Sequence, residues 1–289
     1  MQCLNLARFD TNIDFAILIC ALTGCVAILR MKSIVIIPAR LASTRLPRKL
    51  LLHETGKPLI QHTYESACTA TLPESVTVAC DHKDIFNTVQ QFGGTVRMTD
   101  PNAPSGTDRI AEVAETFNDA DIIVNVQGDE PDIAGASIDL AIQMLANHPG
   151  AVMSTLATPI RTRQQLEDPA CVKVVFDESY RALYFSRSVI PHPRGGICDE
   201  HFVRTTPLFY QHIGLYAYRR DFLLRLCRLP QCESEKAESL EQLRVLHYGY
   251  SIMVGIVSSS SSGIDTLDDY RRFVSSKSSV FGEFPESGA

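Results

Sequence analysis

Four positively charged side chains crowd one short loop of this sequence and are its clearest candidates for chemistry. They are Arg40, Arg45, Arg48 and Lys49. No Asp or Glu occurs in the stretch 31–53 to compensate them. Guanidinium groups bind phosphate oxygens in pairs and an ammonium group adds a point charge, so a nucleotide triphosphate is the first candidate ligand. The alternative is a solvated basic loop on the protein surface.

Two aspartates lie in turns that could hold a metal ion beside such a ligand. Asp129 follows the apolar run 121–126, and Asp265 lies in a later turn between a strand and a helix. Magnesium is commonly bound by one or two carboxylates together with substrate phosphates. An aspartate in a turn is also a frequent helix cap, so each of the two, taken alone, has this second interpretation.

The elements that must position these residues alternate between strands and helices in the first half of the chain. The apolar runs 34–38, 75–80, 95–98 and 121–126 predict strands. Helices are predicted at 58–69, 83–92, 107–117 with Thr107 as the N-cap, and 134–147. This alternation is typical of an α/β fold with a doubly wound, mainly parallel, Rossmann-like sheet. Ligands bind such a sheet at the carboxyl ends of its strands, where the basic loop and Asp129 are both expected.

The pattern changes from about Ala170, and this change predicts an antiparallel insertion or subdomain at about 175–250. Strands are predicted at 172–176, 182–185, 213–218 and 251–257, and helices at 238–247 and 267–274. The stretch 276–289 is rich in Ser and Gly and is predicted to be a flexible tail. We therefore expect one catalytic domain over 31–275 that carries this insertion.

Residues 1–30 differ in kind from the rest. Their segment Phe15–Leu29 is almost wholly apolar and imitates a signal peptide or a short membrane anchor. It has only about fifteen residues, whereas roughly twenty are needed to span a bilayer. Met31 stands directly before the first predicted strand. We expect residues 1–30 to be an extension upstream of the functional start.

Composition and missing motifs exclude several classes of protein. The net charge of −6 and a pI near 5.8 argue against non-specific nucleic-acid binding. The nine cysteines are scattered without CxxC spacing, which argues against a zinc site or a disulfide framework and favours a cytosolic protein. The sequence lacks both GxGxxG after the first strand and GxxxxGK[ST], so a dinucleotide-dependent dehydrogenase and a P-loop NTPase are disfavoured. Backbone amides of the loop 41–46 could hold phosphates instead.

Several motifs in order along the chain resemble those of one enzyme family. They are Pro38-Ala-Arg40, Ser43-Thr-Arg-Leu-Pro-x-Lys49, Ser105-Gly-Thr-x-Arg109, Val124-Asn-Val-Gln-Gly-Asp-Glu-Pro131, Ala182-Leu-Tyr-Phe-Ser-Arg187, Glu241-Gln-Leu-Arg-Val-Leu246 and Gly263-Ile-Asp-Thr266. Together they are similar to the 3-deoxy-manno-octulosonate cytidylyltransferases, the CMP-Kdo synthetases. The resemblance implies a cytoplasmic, magnesium-dependent homodimer of nucleotidyltransferase fold, with neither nucleic-acid binding nor stable membrane association. Such an enzyme joins CTP and Kdo into CMP-Kdo and pyrophosphate for lipopolysaccharide assembly.

The resemblance also implies roles for individual residues. The catalytic set would be Arg40, Lys49, Asp129 and Asp265, of which the two aspartates bind Mg²⁺. The nucleotide would contact Arg40, Ser43, Arg45, Lys49, Ser105, Gly106, Thr107 and Gln127. The sugar would contact Gln127, Arg187, His212, Tyr216, Glu241 and Gln242. Without this resemblance, the residues assigned to the sugar have purely structural interpretations: a packed tyrosine, a core histidine, or residues on a solvated helix face.

This sequence departs from the family pattern at three places. Arg48 stands where the family generally has Gly, and it could either contact phosphate or face solvent. The serine run 258–262 replaces a Pro-containing turn, so we expect a softer support for Asp265. The segment 231–237 also departs from the pattern. The remaining alternatives are a cytidylyltransferase for another acidic sugar, such as a sialic acid, and a non-catalytic nucleotide-binding protein.

Overall fold

The structure is a computed structural model, and it describes residues 31–259 and 263–278. The predictions for residues 1–30 and 279–289 therefore lie outside the described residues. The strands are β1 (Ser33–Ala39), β2 (Ser75–Cys80), β3 (Val96–Met98), β4 (Ile122–Asn125), β5 (Met153–Pro159), β6 (Lys173–Phe176), β7 (Ala182–Ser186), β8 (Tyr210–Arg219) and β9 (Ile252–Ile256). The helices are α1 (Leu59–Ala67), α2 (Lys83–Gln91), α3 (Gly106–Ala114), α4 (Gly135–Ala146), α5 (Arg163–Glu167), α6 (Glu200–Val203), α7 (Arg220–Leu226), α8 (Glu233–Glu238), α9 (Gln242–His247) and α10 (Leu267–Ser278). One short 3₁₀ turn, Lys49–Leu51, follows β1.

The strands form a mixed sheet in the order β3-β2-β1-β4-β8-β5-β9. β1 pairs in parallel with β2 on one side and with β4 on the other. The chain thus adds strands first in one direction from β1 and then in the other. At such a reversal a crevice opens beyond the carboxyl ends of the two central strands. The predicted α/β fold with a mainly parallel sheet is confirmed, and its crevice lies where the basic loop begins.

Both faces of the sheet are covered at β1 and β4, which explains why their sequences are continuous apolar runs. Ile36 in β1 and Ile123 in β4 are fully buried, and Ile110 of α3 belongs to the same core cluster. Each such side chain contributes about 1.5–3 kcal/mol by leaving water. The burial holds the two strands and α3 in a fixed relation, so the turns that follow the strands have a rigid base.

The antiparallel part of the fold differs from the predicted insertion at about 175–250. β8 lies inside the main sheet, where it pairs antiparallel with both β4 and β5. The hairpin of β6 and β7 pairs with β8 at Lys173 and Gln211. β5 was not predicted, because hydroxyl side chains interrupt its apolar pattern. Two of these hydroxyls donate inside the protein: Ser154 Oγ to Ala141 O at 2.6 Å and Thr155 Oγ1 to Leu215 O at 2.9 Å.

Two predicted helix starts were wrong, and each has a local cause. α3 begins at Gly106, because Ser105 rather than Thr107 is the N-cap and its Oγ accepts from Asp108 N at 3.0 Å. The helix predicted at 238–247 is interrupted at Ser239, whose φ of 52° lies in the left-handed region. A left-handed residue ends a helix.

The end of the chain also differs from the prediction. α10 runs to Ser278, so the first three residues of the predicted tail 276–289 are helical. Among the residues that the structure describes, no helix combines the length and the apolar character needed to cross a membrane.

Candidate active site

A cavity of about 520 Å³ lies beyond the carboxyl ends of β1 and β4. The residues that line it come from the basic loop, the start of α3, the turn after β4 and the turn before α10. They are Pro38, Arg40, Ala42, Ser43, Thr44, Arg45, Lys49, Leu50, Pro104, Ser105, Gly106, Gln127, Gly128, Asp129 and Asp265. The structure therefore brings together every residue of the predicted catalytic set.

The basic loop is anchored by apolar side chains and presents three of its four charges to the cavity. Leu46 and Leu50 are buried, with 7% and 6% of their surface exposed. Lys49 opens the 3₁₀ turn that contains Leu50, and only 12% of its side chain is exposed. Arg40 and Arg45 are more exposed and border the same cavity. The loop can surround an anion with one inward ammonium and two exposed guanidinium groups.

Lys49 connects the two aspartates that the sequence predicted as metal ligands. Its Nζ lies 2.5 Å from Asp129 Oδ2 and 3.2 Å from Asp265 Oδ1. Arg45 Nη2 lies 2.9 Å from the same Asp265 oxygen. Two carboxylates and two cations are thus balanced within a few ångströms. This arrangement suits a ligand that brings both negative phosphates and a divalent cation.

The turns that carry the aspartates are tied to each other and to β1. Ile264 N donates to Asp129 O at 2.9 Å. Gly128 leaves no room for a side chain, because a Cβ there would lie 2.9 Å from Pro38 O. Asp269 Oδ2 accepts from the backbone of both Asp265 and Thr266. Asp265 is therefore fixed from its C-terminal side, while residues 260–262 of the serine run lie outside the described part.

The wall formed by the start of α3 meets the predicted nucleoside side of the site. Ser105 and Gly106 line the cavity together with Gln127. Thr107 is buried instead, and its Oγ1 donates to Glu241 Oε1 at 2.6 Å. Thr107 thus connects the nucleotide wall to a residue predicted to bind the sugar.

Four of the five remaining sugar residues lie in one connected group. Tyr216 OH donates to Gln242 Oε1 at 3.3 Å, and the rings of Tyr216 and His212 are 5.4 Å apart. Burial lowers the pKa of His212 to about 3 and raises the pKa of Glu241 above its ordinary value. Gln242 Nε2 is buried and has no hydrogen-bond partner among the described residues. An amide proton is therefore free to bind a ligand oxygen.

Arg187, the fifth predicted sugar residue, is engaged elsewhere. Its Nε donates to Glu238 O at 2.7 Å and its Nη1 donates to Pro169 O at 3.0 Å. These carbonyl oxygens lie at the end of α8 and before β6. The structure does not bring Arg187 into the connected group, and its role as a sugar ligand stays a prediction.

Arg48, whose role the sequence left open, points away from the cavity that Lys49 lines. Its Nη2 lies 2.5 Å from Asp84 Oδ2 at the start of α2, and it does not line the 520 Å³ cavity. Its φ of 54° lies in the left-handed region. Glycine adopts this conformation without steric cost, which explains why a glycine suits this position.

The residues present fit a magnesium ion that is shared with substrate phosphates. No group of three or more His, Cys, Asp or Glu side chains able to hold a metal exists among the described residues. Asp129 and Asp265 supply two hard oxygen ligands at one point, and phosphate and water oxygens would have to supply the others. Mg²⁺ is bound in this way at many phosphate-transfer sites.

Sequence reasoning gave no role to Asp81, which the structure places against the basic loop. Its Oδ1 accepts from Leu41 N at 2.9 Å. The available signal was its position directly after β2, a third parallel strand that ends at the same edge of the sheet.

Comparisons with known proteins agree with this geometry. The family model described as "Cytidylyltransferase" matches residues 34–252. Proteins named 3-deoxy-manno-octulosonate cytidylyltransferase from Rhodopirellula baltica and Geobacter metallireducens are both 48% identical to this chain, and each comparison covers 84% of this chain and 97% of the relative.

Solved structures show the same likeness. A structure of CMP:2-keto-3-deoxy-manno-octonic acid synthetase complexed with CTP is 38% identical, with a TM-score of 0.79 over 86% of this chain and 99% of that one. A cytidylyltransferase from Leptospira borgpetersenii, 19% identical with a TM-score of 0.55 over 86% of this chain and 87% of that one, shares the fold. The chain therefore belongs to the cytidylyltransferase family, and within it to the 3-deoxy-manno-octulosonate cytidylyltransferases.

Proposed function

We propose that this enzyme transfers CMP from CTP to the anomeric hydroxyl of Kdo and releases pyrophosphate. The observation that carries the proposal is the contact of Lys49 Nζ with Asp129 and Asp265 inside the cavity that Arg40 borders. This cavity offers cations for a triphosphate and carboxylates for its metal. The similar structure complexed with CTP supports the nucleotide assignment.

The residues of the cavity are suited to an in-line displacement at the α-phosphorus. The anomeric hydroxyl attacks, and pyrophosphate leaves on the opposite side. Lys49 and Arg45 offset the negative charge that develops on the departing phosphates. Phosphoryl transfer requires positioning and charge stabilisation more than a covalent intermediate. No nucleophilic side chain is therefore needed.

Magnesium is part of the proposal. Asp129 and Asp265 would hold it, and the support is that both carboxylates approach one point, where Lys49 now contacts them. When bound, the ion supplies charge neutralisation of the phosphates and polarisation of the reacting phosphorus centre. Lys49 would then hold phosphate oxygens in place of the two carboxylates that it contacts here.

The sugar is proposed to lie between the cavity and the group formed by Tyr216, Glu241 and Gln242. The unpartnered Nε2 of Gln242 can donate to a sugar hydroxyl or carboxylate. Glu241 can accept from a sugar hydroxyl, since it holds one donor, Thr107, at 2.6 Å. Hydrogen bonds of both kinds are what distinguishes a polyhydroxy acid from an apolar ligand.

The wider setting is also proposed rather than observed. We expect a cytoplasmic homodimer whose product supplies lipopolysaccharide assembly. The support is the family to which the chain belongs.

A pyrophosphate-release assay with CTP, Kdo and Mg²⁺ tests the proposal. We expect release that requires all three components. Release with a sialic acid and not with Kdo would assign the enzyme to another acidic sugar. Absence of release by folded protein that still binds CTP would indicate a non-catalytic nucleotide-binding protein and overturn the proposal.

A further inference from the structure

Arg109 is the most deeply buried charge of the motif Ser105-Gly-Thr-x-Arg109, and the proposed reaction gives it no role. It lies on α3 and has 0% of its surface exposed. Its Nη1 donates to Thr99 Oγ1 and to Asp100 O, the latter at 3.2 Å. A buried guanidinium is costly unless it is paired. Its position therefore calls for a partner of opposite charge.

That partner is Asp81. Arg109 Nη2 lies 3.7 Å from Asp81 Oδ2, and Asp81 itself is only 13% exposed. Arg109 Nε and Nη2 have no hydrogen-bond partner among the described residues. Among the described residues, Asp81 is the carboxylate that forms an ion pair with Arg109.

Asp81 in turn holds both neighbours of Arg40 in the chain. Its Oδ1 accepts from Leu41 N at 2.9 Å, and its backbone N donates to Ala39 O at 3.3 Å. Arg40 thus stands between two anchored peptide groups at the carboxyl end of β1. Its side chain remains exposed toward the cavity.

We propose that Arg109 and Asp81 are positioning residues that set Arg40 for binding the triphosphate of CTP. Arg109 fixes the carboxylate of Asp81, and Asp81 fixes the backbone from which Arg40 extends. Neither residue lines the cavity, so both act through Arg40. The inference rests on the proposed function, because it requires CTP as the ligand.

The test is CTP binding by calorimetry, combined with steady-state kinetics. In Asp81→Ala the Leu41 amide loses its acceptor, and we expect the Kd and KM for CTP to rise about tenfold while kcat and the KM for Kdo change less than about twofold. Asp81→Asn keeps an acceptor oxygen for Leu41 and should restore part of the affinity. Arg109→Lys keeps the charge and should lose less affinity than Arg109→Met.

A double-mutant cycle separates positioning from general destabilisation. If Asp81 acts through Arg40, Asp81→Ala should weaken CTP binding much less in an Arg40→Ala background than in the unchanged protein. Equal factors in both backgrounds would overturn the inference.

Arg219→Met is the matched control. Arg219 donates to Ala151 O and Leu145 O. It pairs with Ile122 at the start of β4, at the end of the strand away from the cavity. We expect it to lower stability in urea without changing the Kd for CTP. If Asp81→Ala also lowers only stability, its role is structural and the inference fails, whereas absence of CTP binding by the unchanged protein would overturn the proposed function as well.

Discussion

Lys49 and Asp129 form an ion pair, with Nζ 2.5 Å from Oδ2. The pair is largely shielded, since 12% and 25% of the two side chains are exposed. The ammonium thus occupies a carboxylate oxygen that a metal ion would need. In the proposed function, Lys49 and the metal ion would compete for this oxygen of Asp129, and the phosphates of the substrate would draw the ammonium away from it.

The competition predicts the effect of removing the ammonium. In Lys49→Met the two carboxylates lose their shared counterion. We therefore expect Mn²⁺, used as a probe for Mg²⁺, to bind at least about tenfold more tightly in the absence of nucleotide. This gain corresponds to on the order of 1 kcal/mol or more for a partly shielded pair. Calorimetry or electron paramagnetic resonance measures this. Lys57→Met, which removes an exposed lysine paired with Glu65, is the control. Unchanged or weaker Mn²⁺ binding in Lys49→Met would contradict the competition.

Removal of one carboxylate charge tests the proposed catalytic set. Asp129→Asn keeps the shape of the side chain but weakens both the metal site and the pair with Lys49. We expect kcat to fall on the order of 10²-fold or more, a loss of several kcal/mol of transition-state stabilisation. Pyrophosphate release reports it. Asp132→Asn, nearby but paired with Lys277 at 2.7 Å, should keep near-normal turnover; near-normal turnover in Asp129→Asn would refute the assignment.

The left-handed backbone of Arg48 predicts an order of stability between two variants. Arg48→Gly and Arg48→Ala both remove the ion pair with Asp84, but only glycine relieves the steric cost of a φ of 54°. We expect the glycine variant to be more stable than the alanine variant by about 1 kcal/mol. Urea unfolding gives the difference. The KM for CTP should change less than about twofold in both, and an alanine variant as stable as the glycine variant would disprove the steric argument.

Burial of His212 predicts a dependence of stability on pH. Burial lowers its pKa to about 3, whereas the unfolded residue titrates near 6.5. Between these values the unfolded state binds a proton that the folded state does not, so the free energy of unfolding decreases as the pH falls below about 6.5 and is unaffected above it.

The comparison with His212→Gln isolates this contribution. Gln cannot take up the proton, so the free energy of unfolding of the His212→Gln variant should fall less steeply as the pH decreases. The difference in slope should reach up to about 1.4 kcal/mol per pH unit below pH 6. Urea unfolding at pH 5, 6 and 7.5 for both proteins measures the slopes. Parallel curves would show that residue 212 is protonated equally in the folded and unfolded states.

The cationic and acidic parts of the site were predictable because parallel strands end at one edge. Buried apolar runs located β1 and β4, and the loops that follow them, which carry Lys49 and Asp129, had to meet beyond the sheet. The motifs then connected Asp265 to them, although the family match ends at residue 252. The meeting of all three at Lys49 Nζ supports that assignment independently.

Other features could not be predicted, since they depend on contacts distant in sequence. No local pattern shows that β8 inserts between β4 and β5, because the sequence of a strand does not specify which strands it pairs with. Helix propensity does not locate the break at Ser239, because serine is tolerated inside helices. Arg187 has a side chain that could bind a sugar, yet it donates hydrogen bonds to the backbone carbonyl groups of Glu238 and Pro169 instead.

The hydrogen bond from Ile264 N to Asp129 O joins two turns that are synthesised far apart in time. Asp265 is separated from Lys49 by 216 positions, so it leaves the ribosome last of the three residues that meet at the ammonium. A nascent chain that ends before this turn contains Arg40, Lys49 and Asp129 without the second carboxylate. In the proposed function, such a chain would carry the cations that bind the triphosphate but would lack half of the pair that holds the metal.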